Sequence, residues 1–81
     1  MSTNIVFINK EASIRKIKSL MVEKNISEKD MAHKIAVNIK TVRNWFSGKT
    51  FPKTTNWIAM TILFDTPLLD LIVYDKVPQH Q

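Results

Sequence analysis

With 81 residues, of which 44% are hydrophobic and 23% charged, the chain is long enough for one hydrophobic core, and we predict a single domain over residues 1–81. The absence of cysteine excludes disulfides and thiolate metal sites, and no apolar run approaches the roughly 18 residues of a membrane span, so we expect a cytoplasmic protein. The net charge of +5 fits a polyanionic partner such as nucleic acid, although a basic surface without any partner fits the charge equally well.

The first predicted elements are a short extended segment and a long amphipathic helix. Residues 5–8 are β-branched or aromatic, which favours a strand. Asn9 can accept a hydrogen bond from a backbone N–H and so cap a helix that runs roughly from Lys10 to Lys24. The apolar residues of this helix recur at spacings of three and four, which places them on one face: Ile14, Ile17, Leu20 and Met21.

Two short helices are predicted next, joined by a very tight turn. Ser27 can cap the second helix, and the acidic residues that follow it are favoured by the helix dipole. The turn falls at Ala36 and Val37, and Asn38 can cap a third helix that extends to about Ser47. Three side chains of the third helix are predicted to point inward: Val42, Trp45 and Phe46.

A loop and a fourth helix follow. Gly48 suits the left-handed conformation that closes a helix, and Pro52 prevents the helix from resuming at once. We therefore predict a loop over residues 47–53. The fourth helix is predicted to begin at one of the two threonines at 54 and 55 and to end at Leu63.

The C-terminal part is predicted to hold a fifth, very short helix and a strand. Thr66 can cap the helix, with Pro67 at its first position, and the helix is expected over about Pro67–Leu71. Residues 72–74 can pair with residues 5–8 as a small two-stranded ribbon, and residues 78–81 are expected to be loose. The predicted fold class is therefore all-α: five helices with this small terminal ribbon.

The residue pattern across the second and third helices resembles the Cro and phage-repressor family of helix-turn-helix proteins, often called XRE-like. The resemblance covers about residues 10–72 and implies a five-helix, lambda-repressor-like DNA-binding domain, with the helix-turn-helix at about residues 28–46. The residues that carry it are Ile26-Ser27, Met31-Ala32, Ile35-Ala36-Val37-Asn38, Thr41-Val42, Gly48-Lys49, Pro52 and the segment from Leu63 to Leu71.

The sequence departs from the family pattern in three ways. The family often has Gly in the turn where Ala36 stands, and a Cβ makes a left-handed conformation costly by about 1 kcal/mol or more. An Arg–Glu pair common in the family is replaced by Met21 and Phe46, which predicts apolar packing in place of an ion pair. Glu28 stands where a phosphate-binding Gln is common, so that role is not transferred to it.

The resemblance implies that the third helix lies in the major groove of DNA. Lys and Arg can donate to guanine, Asn can pair with adenine, and an apolar side chain can pack on a thymine methyl group. The residues that match base-contacting positions are Ile39, Lys40 and Asn44, with Thr41 and Arg43 beside them. The residues predicted to contact phosphates are Asn38, Lys49, Thr50 and Lys53.

Residues outside these sets receive structural interpretations. Trp45, Phe46 and Trp57 stand at helical spacings typical of a core. Arg15, Lys16 and Lys18 are expected to form a solvated face of the first helix, although one of them can touch a phosphate.

The sequence thus predicts a sequence-specific transcriptional regulator, a Cro-like repressor that binds a palindromic operator as a homodimer. We expect no cofactor, metal or small-molecule effector, and no enzymatic activity, because paired carboxylates, a Ser-His-Asp set and phosphate-binding loops are absent from the sequence. The alternative is a helix-turn-helix protein that contacts another protein, such as an antitoxin or anti-repressor component. The predicted dimer interface comprises Leu68, Leu71, Ile72, Val73 and Tyr74.

Overall fold

The computed structural model describes residues 3–79, in which five α-helices lie between two β-strands in the chain order. Among these residues, no helix is both long enough and apolar enough to cross a bilayer. The elements are β1 (Thr3–Ile8), α1 (Lys10–Glu23), α2 (Glu28–Lys34), α3 (Ile39–Ser47), α4 (Thr54–Phe64), α5 (Leu68–Leu71) and β2 (Tyr74–Gln79).

The prediction of an all-α domain is wrong, because β1 and β2 form an antiparallel sheet of six residues on each side, from Thr3 opposite Gln79 to Ile8 opposite Tyr74. The fold is therefore a small mixed one. The second strand runs over Tyr74–Gln79 and not over the predicted residues 72–74. Local propensity does not indicate this strand, because Asp75, Lys76 and Pro78 are poor strand formers on their own. Pairing with β1 overrides that preference. It also orders Pro78 and Gln79, which were expected to be loose; His80 and Gln81 lie outside the described residues.

The hydrophobic core is built by all five helices. Burial of α1 and α2 against α3 and α4 confirms the apolar stripe of the first helix and the inward positions of Trp45 and Trp57. Phe46, also predicted to point inward, is only half-buried at the edge of this core. The buried apolar residues are Ile17, Met21, Met31, Ala32, Val42, Trp45, Trp57, Met60, Phe64 and Leu71.

The prediction that Leu71 belongs to the dimer interface is wrong. Its side chain is 0% exposed and belongs to the core of the single chain, so it has no surface to offer a partner. The other residues of that set remain at least partly accessible: Leu68, Ile72, Val73 and Tyr74.

The start of α5 also differs from the prediction. The helix begins at Leu68, one residue later than expected, and Pro67 is the residue that precedes it. Thr66 does not cap it, because its hydroxyl donates instead to the carbonyl of Phe64 at 2.9 Å. Asp65 takes a left-handed φ of 49° and ends α4, so the short linker to α5 is set by the end of α4.

A buried serine joins the sheet to the helices, a role that no sequence pattern predicts. The Ser13 hydroxyl accepts a hydrogen bond from the Val73 N–H at 2.9 Å and donates to the Val73 carbonyl at 3.3 Å. The Asn9 N–H donates to the same carbonyl at 2.8 Å. Ser13 is 0% exposed, so these bonds satisfy a hydroxyl that would be costly to bury alone. They fix the base of the β1–β2 sheet to the first turn of α1.

Replacing this serine should destabilise the fold. We expect Ser13→Ala to lower the free energy of unfolding by about 1–3 kcal/mol, because it leaves the part-buried Val73 N–H without a partner. Urea denaturation measures the change. Ser19→Ala, at an exposed position of the same helix, is the matched control and should be nearly neutral; an equal effect of the two substitutions would contradict the role of Ser13.

Candidate nucleic-acid interface

The helix pair α2–α3 is defined by local hydrogen bonds at each end. Ser27 and Asp30 form a reciprocal capping box: the Asp30 N–H donates to the Ser27 hydroxyl at 3.0 Å, and the Ser27 N–H donates to the Asp30 carboxylate at 3.2 Å. The bond from the Ser27 N–H holds the pKa of the Asp30 carboxyl below its usual value. A charged carboxylate at this helix start also suits the helix dipole. The predicted cap of the second helix is confirmed.

The turn between the two helices imposes a strained conformation on Ala36. Its φ is 59°, in the left-handed region, and its N–H donates to the His33 carbonyl at 3.3 Å. The Val37 N–H reaches back to the Ala32 carbonyl at 2.9 Å, which closes the C-terminus of α2. The turn therefore needs the conformation that glycine adopts most readily, at a position that carries a Cβ.

The rotation of α3 is fixed by its buried residues. Val42 is 0% and Trp45 2% exposed, and these two residues, three apart, anchor the inner face of the helix. Lys40 and Arg43 are exposed as a result, while Asn44 is half-buried beside them. Because separations of three and four residues bring side chains onto one helix face, Lys40, Arg43 and Asn44 are neighbours.

Two of the predicted base-contacting residues are less accessible than the basic ones. Ile39 is half-buried and packs against the core, and Thr41 is half-buried as well. Their side chains therefore have less free surface than Lys40 and Arg43.

The predicted cap of α3 is confirmed. The Asn38 side-chain oxygen accepts the Lys40 N–H at 2.8 Å, so the NH₂ group of the same amide can still donate to a phosphate.

The loop after α3 is tied to the end of the helix. The carbonyl of Asn44 accepts the N–H of Lys49 at 3.0 Å and the N–H of Thr50 at 3.3 Å. Gly48, with φ 84°, makes the left-handed turn that permits this, as predicted. Lys49 and Thr50 are exposed. The backbone of Lys49 and Thr50 is thus held at the C-terminal end of the helix that carries the predicted base-contacting residues.

The C-terminal end of the loop is held by the indole of Trp57. The Trp57 Nε1–H donates to the Pro52 carbonyl at 3.1 Å, and both residues are buried. The Phe51 ring lies 5.4 Å from the Trp57 ring, centroid to centroid. Lys53 is exposed and immediately precedes α4. The loop is therefore anchored at both ends, and its cations project from a fixed backbone.

The structure also brings cations of α1 next to this loop, which the sequence did not predict. A groove of about 550 Å³ is lined by both elements. The Lys10 ammonium lies 5.5 Å from the centroid of the Phe51 ring, and the Lys18 ammonium lies 5.3 Å from that of Phe46. Arg15 lines the same groove but pairs with Glu11 at 3.0 Å, so its charge is partly compensated. Lys10 and Lys18 therefore extend the basic surface of Lys49.

Nothing in the local sequence signals this neighbourhood. Residues 24–47 separate α1 from the loop, and no periodicity relates the two elements. The expectation that Lys18 lies on a solvated face is confirmed, because Lys18 is exposed. Its ammonium also stands over the Phe46 ring near the end of α3.

Comparisons with protein-family models and with curated proteins found no match for this chain. The resemblance to the Cro and phage-repressor family thus remains a prediction from the sequence.

The strained turn yields a stability prediction. We expect Ala36→Gly to raise the free energy of unfolding by about 0.5–1 kcal/mol, because relief of the left-handed strain exceeds the entropy that glycine adds to the unfolded chain. Chemical denaturation measures it. Ala59→Gly, inside α4, is the control and should lower stability by about 1 kcal/mol. Destabilisation by both substitutions would contradict the strain at Ala36.

Proposed function

We propose that this protein is a sequence-specific DNA-binding transcriptional regulator, a Cro-like repressor that binds a palindromic operator as a homodimer. The observation that supports this most is one arrangement: exposed Lys40 and Arg43 on α3, and Lys49 on a loop bonded to the carbonyl of Asn44. Residues 31–64, which include both elements, contain no Asp or Glu. No carboxylate of residues 31–64 would therefore repel the phosphates of a DNA duplex that approaches this stretch.

In this proposal α3 enters the major groove. Lys40 and Arg43 donate to guanine O6 and N7, and the Asn44 amide pairs with adenine N6 and N7. The exposed parts of Ile39 and Thr41 contact thymine methyl groups. The buried Val42 and Trp45 are essential to this role, since they prevent α3 from rolling and so keep one face towards the bases.

Backbone contacts come from the loop and from α1. Lys49, Thr50 and Lys53 contact phosphates, and the free NH₂ of Asn38 adds a donor at the start of α3. The cations of α1 extend this track, because Lys10 and Lys18 line the same groove as Lys49. These contacts position the protein without reading sequence.

A homodimer gives the proposed regulator its operator geometry. Two copies related by a twofold axis read half-sites about 34 Å apart, one turn of duplex, and so favour a palindrome. The sequence placed this interface near Leu68 and residues 72–74, and these residues remain accessible in the single chain.

One observation favours the alternative function, contact with another protein. A second groove lies between the end of α1, the start of α2 and the end of α3, and Met21 and Phe46 both line it. Its rim includes Val22, which is 83% exposed, and the half-buried Glu28. Lys18 lines this groove as well. An apolar groove with one carboxylate and one ammonium at its edge suits a protein segment better than a phosphate backbone. An antitoxin or anti-repressor component would use such a surface.

The salt dependence of DNA binding separates the two functions. We expect the affinity for duplex DNA to fall steeply with salt, by about tenfold or more between 50 and 200 mM, because each phosphate contact releases counterions. Fluorescence anisotropy with a labelled duplex, selected from a random pool, gives the slope. A flat response, or no binding at low salt, would contradict the DNA-binding function and favour protein contact.

Substitutions on the two elements should have different effects. Lys40→Ala and Asn44→Ala should each cost about 1–3 kcal/mol on the selected operator and relax base preference, whereas Lys49→Ala should weaken operator and random DNA equally. Asn44→Ala keeps the carbonyl that holds the loop. Lys16→Ala, an exposed cation of α1 outside the lining of the groove, is the charge-matched control. Equal losses on operator and random DNA for all three variants would contradict base reading by α3.

A further inference from the structure

The hydrogen-bond pattern of the small sheet tells which backbone groups of each strand point outward. The Asn9 N–H donates to the Val73 carbonyl, in the same register as the β1–β2 ladder. Hydrogen-bonded and non-bonded pairs alternate in an antiparallel sheet, so Ile5 and Phe7 are bonded to β2. The N–H and C=O groups of Asn4, Val6 and Ile8 therefore face the free edge of β1, as do those of Tyr74, Lys76 and Pro78 on β2.

The two free edges are unequal. The edge of β2 carries Pro78, which has no N–H to donate, and Lys76, a residue that discourages strand addition. The described strand β1, Thr3–Ile8, has neither proline nor any charged residue. Within residues 3–79, β1 pairs only with β2. One edge of the sheet is thus protected against pairing, and the other is open.

Both faces of the strand are exposed as well. Ile5, Val6, Phe7 and Ile8 are 43%, 57%, 54% and 47% exposed, although consecutive side chains point to opposite faces. An isolated two-stranded sheet is marginal in water, and three or more strands are needed for an independently stable one. The β1 strand therefore has unpaired backbone groups and exposed apolar side chains, and a further strand would stabilise the sheet.

We propose that the free edge of β1 pairs antiparallel with β1 of a second copy of this chain, so that two sheets become one continuous four-stranded sheet. The inference deepens the proposed homodimer and rests on it, and it moves the main contact from Leu68 and residues 72–74 to the N-terminal strand. A second copy of the chain is the proposed partner because β1 can pair with itself. The register of this pairing is the one that gives the outward-facing N–H and C=O groups of β1 a partner.

That register is centred on Val6. With Val6 opposite Val6 of the second copy, Asn4 lies opposite Ile8 in both directions, and every outward N–H and C=O of these residues has a partner. A shift by two residues leaves some of them unpaired. In the same register Ile5 lies opposite Phe7, in the non-bonded pairs whose side chains approach most closely. An aromatic–aliphatic contact thus forms on each side of the twofold axis.

Charge exchange at Val6 tests the contact and its register together. Sedimentation equilibrium without DNA should show the unaltered chain as a dimer at high micromolar concentration. Val6→Glu should be monomeric, because two introduced carboxylates would lie opposite each other; within one chain the new carboxylate faces Lys76, which favours the β1–β2 pair. An equimolar mixture of Val6→Glu with the double variant Val6→Lys/Lys76→Glu, which keeps opposite charges in its own β1–β2 pair, should form dimers again. Val22→Glu, on the exposed end of α1, is the charge-matched control and should remain dimeric.

Amide hydrogen exchange on the unaltered chain provides a measurement that needs no variant. The Asn4, Val6 and Ile8 amides should become protected as the concentration rises, while the Ile5 and Phe7 amides are protected throughout. A monomer at every concentration, a dimeric Val6→Glu, a mixture that stays monomeric, or unprotected Val6 amides in the dimer would each overturn the proposal. Because no DNA is present, these outcomes are independent of the DNA-binding function: a dimer joined elsewhere would leave that function intact.

Discussion

Burial of Val42 and Trp45 fixes the rotation of α3, and the proposed interface depends on that constraint. A nine-residue helix is too short to hold its own conformation in water, so its inner face must supply the stability. Because those two residues are fully buried, the face that carries Lys40, Arg43 and Asn44 has one orientation relative to the core. A rigid helix presents side chains to a groove with less entropic cost than a mobile one.

The loop after α3 takes its position from the helix. One carbonyl, that of Asn44, accepts two N–H groups of the loop, and the left-handed Gly48 directs the chain back towards it. The indole of Trp57 holds the other end at Pro52. The proposed base contacts and the proposed phosphate contacts therefore come from one rigid unit. The cations of α1 join this unit through their positions over Phe46 and Phe51.

Within residues 3–79, one polar junction joins the terminal sheet to the helices. Ser13 binds both backbone groups of Val73, and Asn9 binds the same residue, so the first turn of α1 and the start of β2 are fixed together. Beyond that junction the strands extend from the helices with apolar residues exposed on both faces. Because the β1 edge is open and the β2 edge is closed by Pro78, a further strand adds to this sheet at β1 and not at β2.

The sequence by itself determined the helix termini that are set by hydrogen bonds between residues close together in the chain. Four helix termini could be predicted because their caps join residues only two to four apart, at Asn9, Ser27, Asn38 and Gly48. The tertiary structure alone decided that Leu71 is core, that residues through Gln79 form a strand, that Ser13 anchors the sheet and that Lys10 and Lys18 lie beside the loop. These features arise from contacts between segments far apart in the chain, which neither local propensity nor helical spacing encodes.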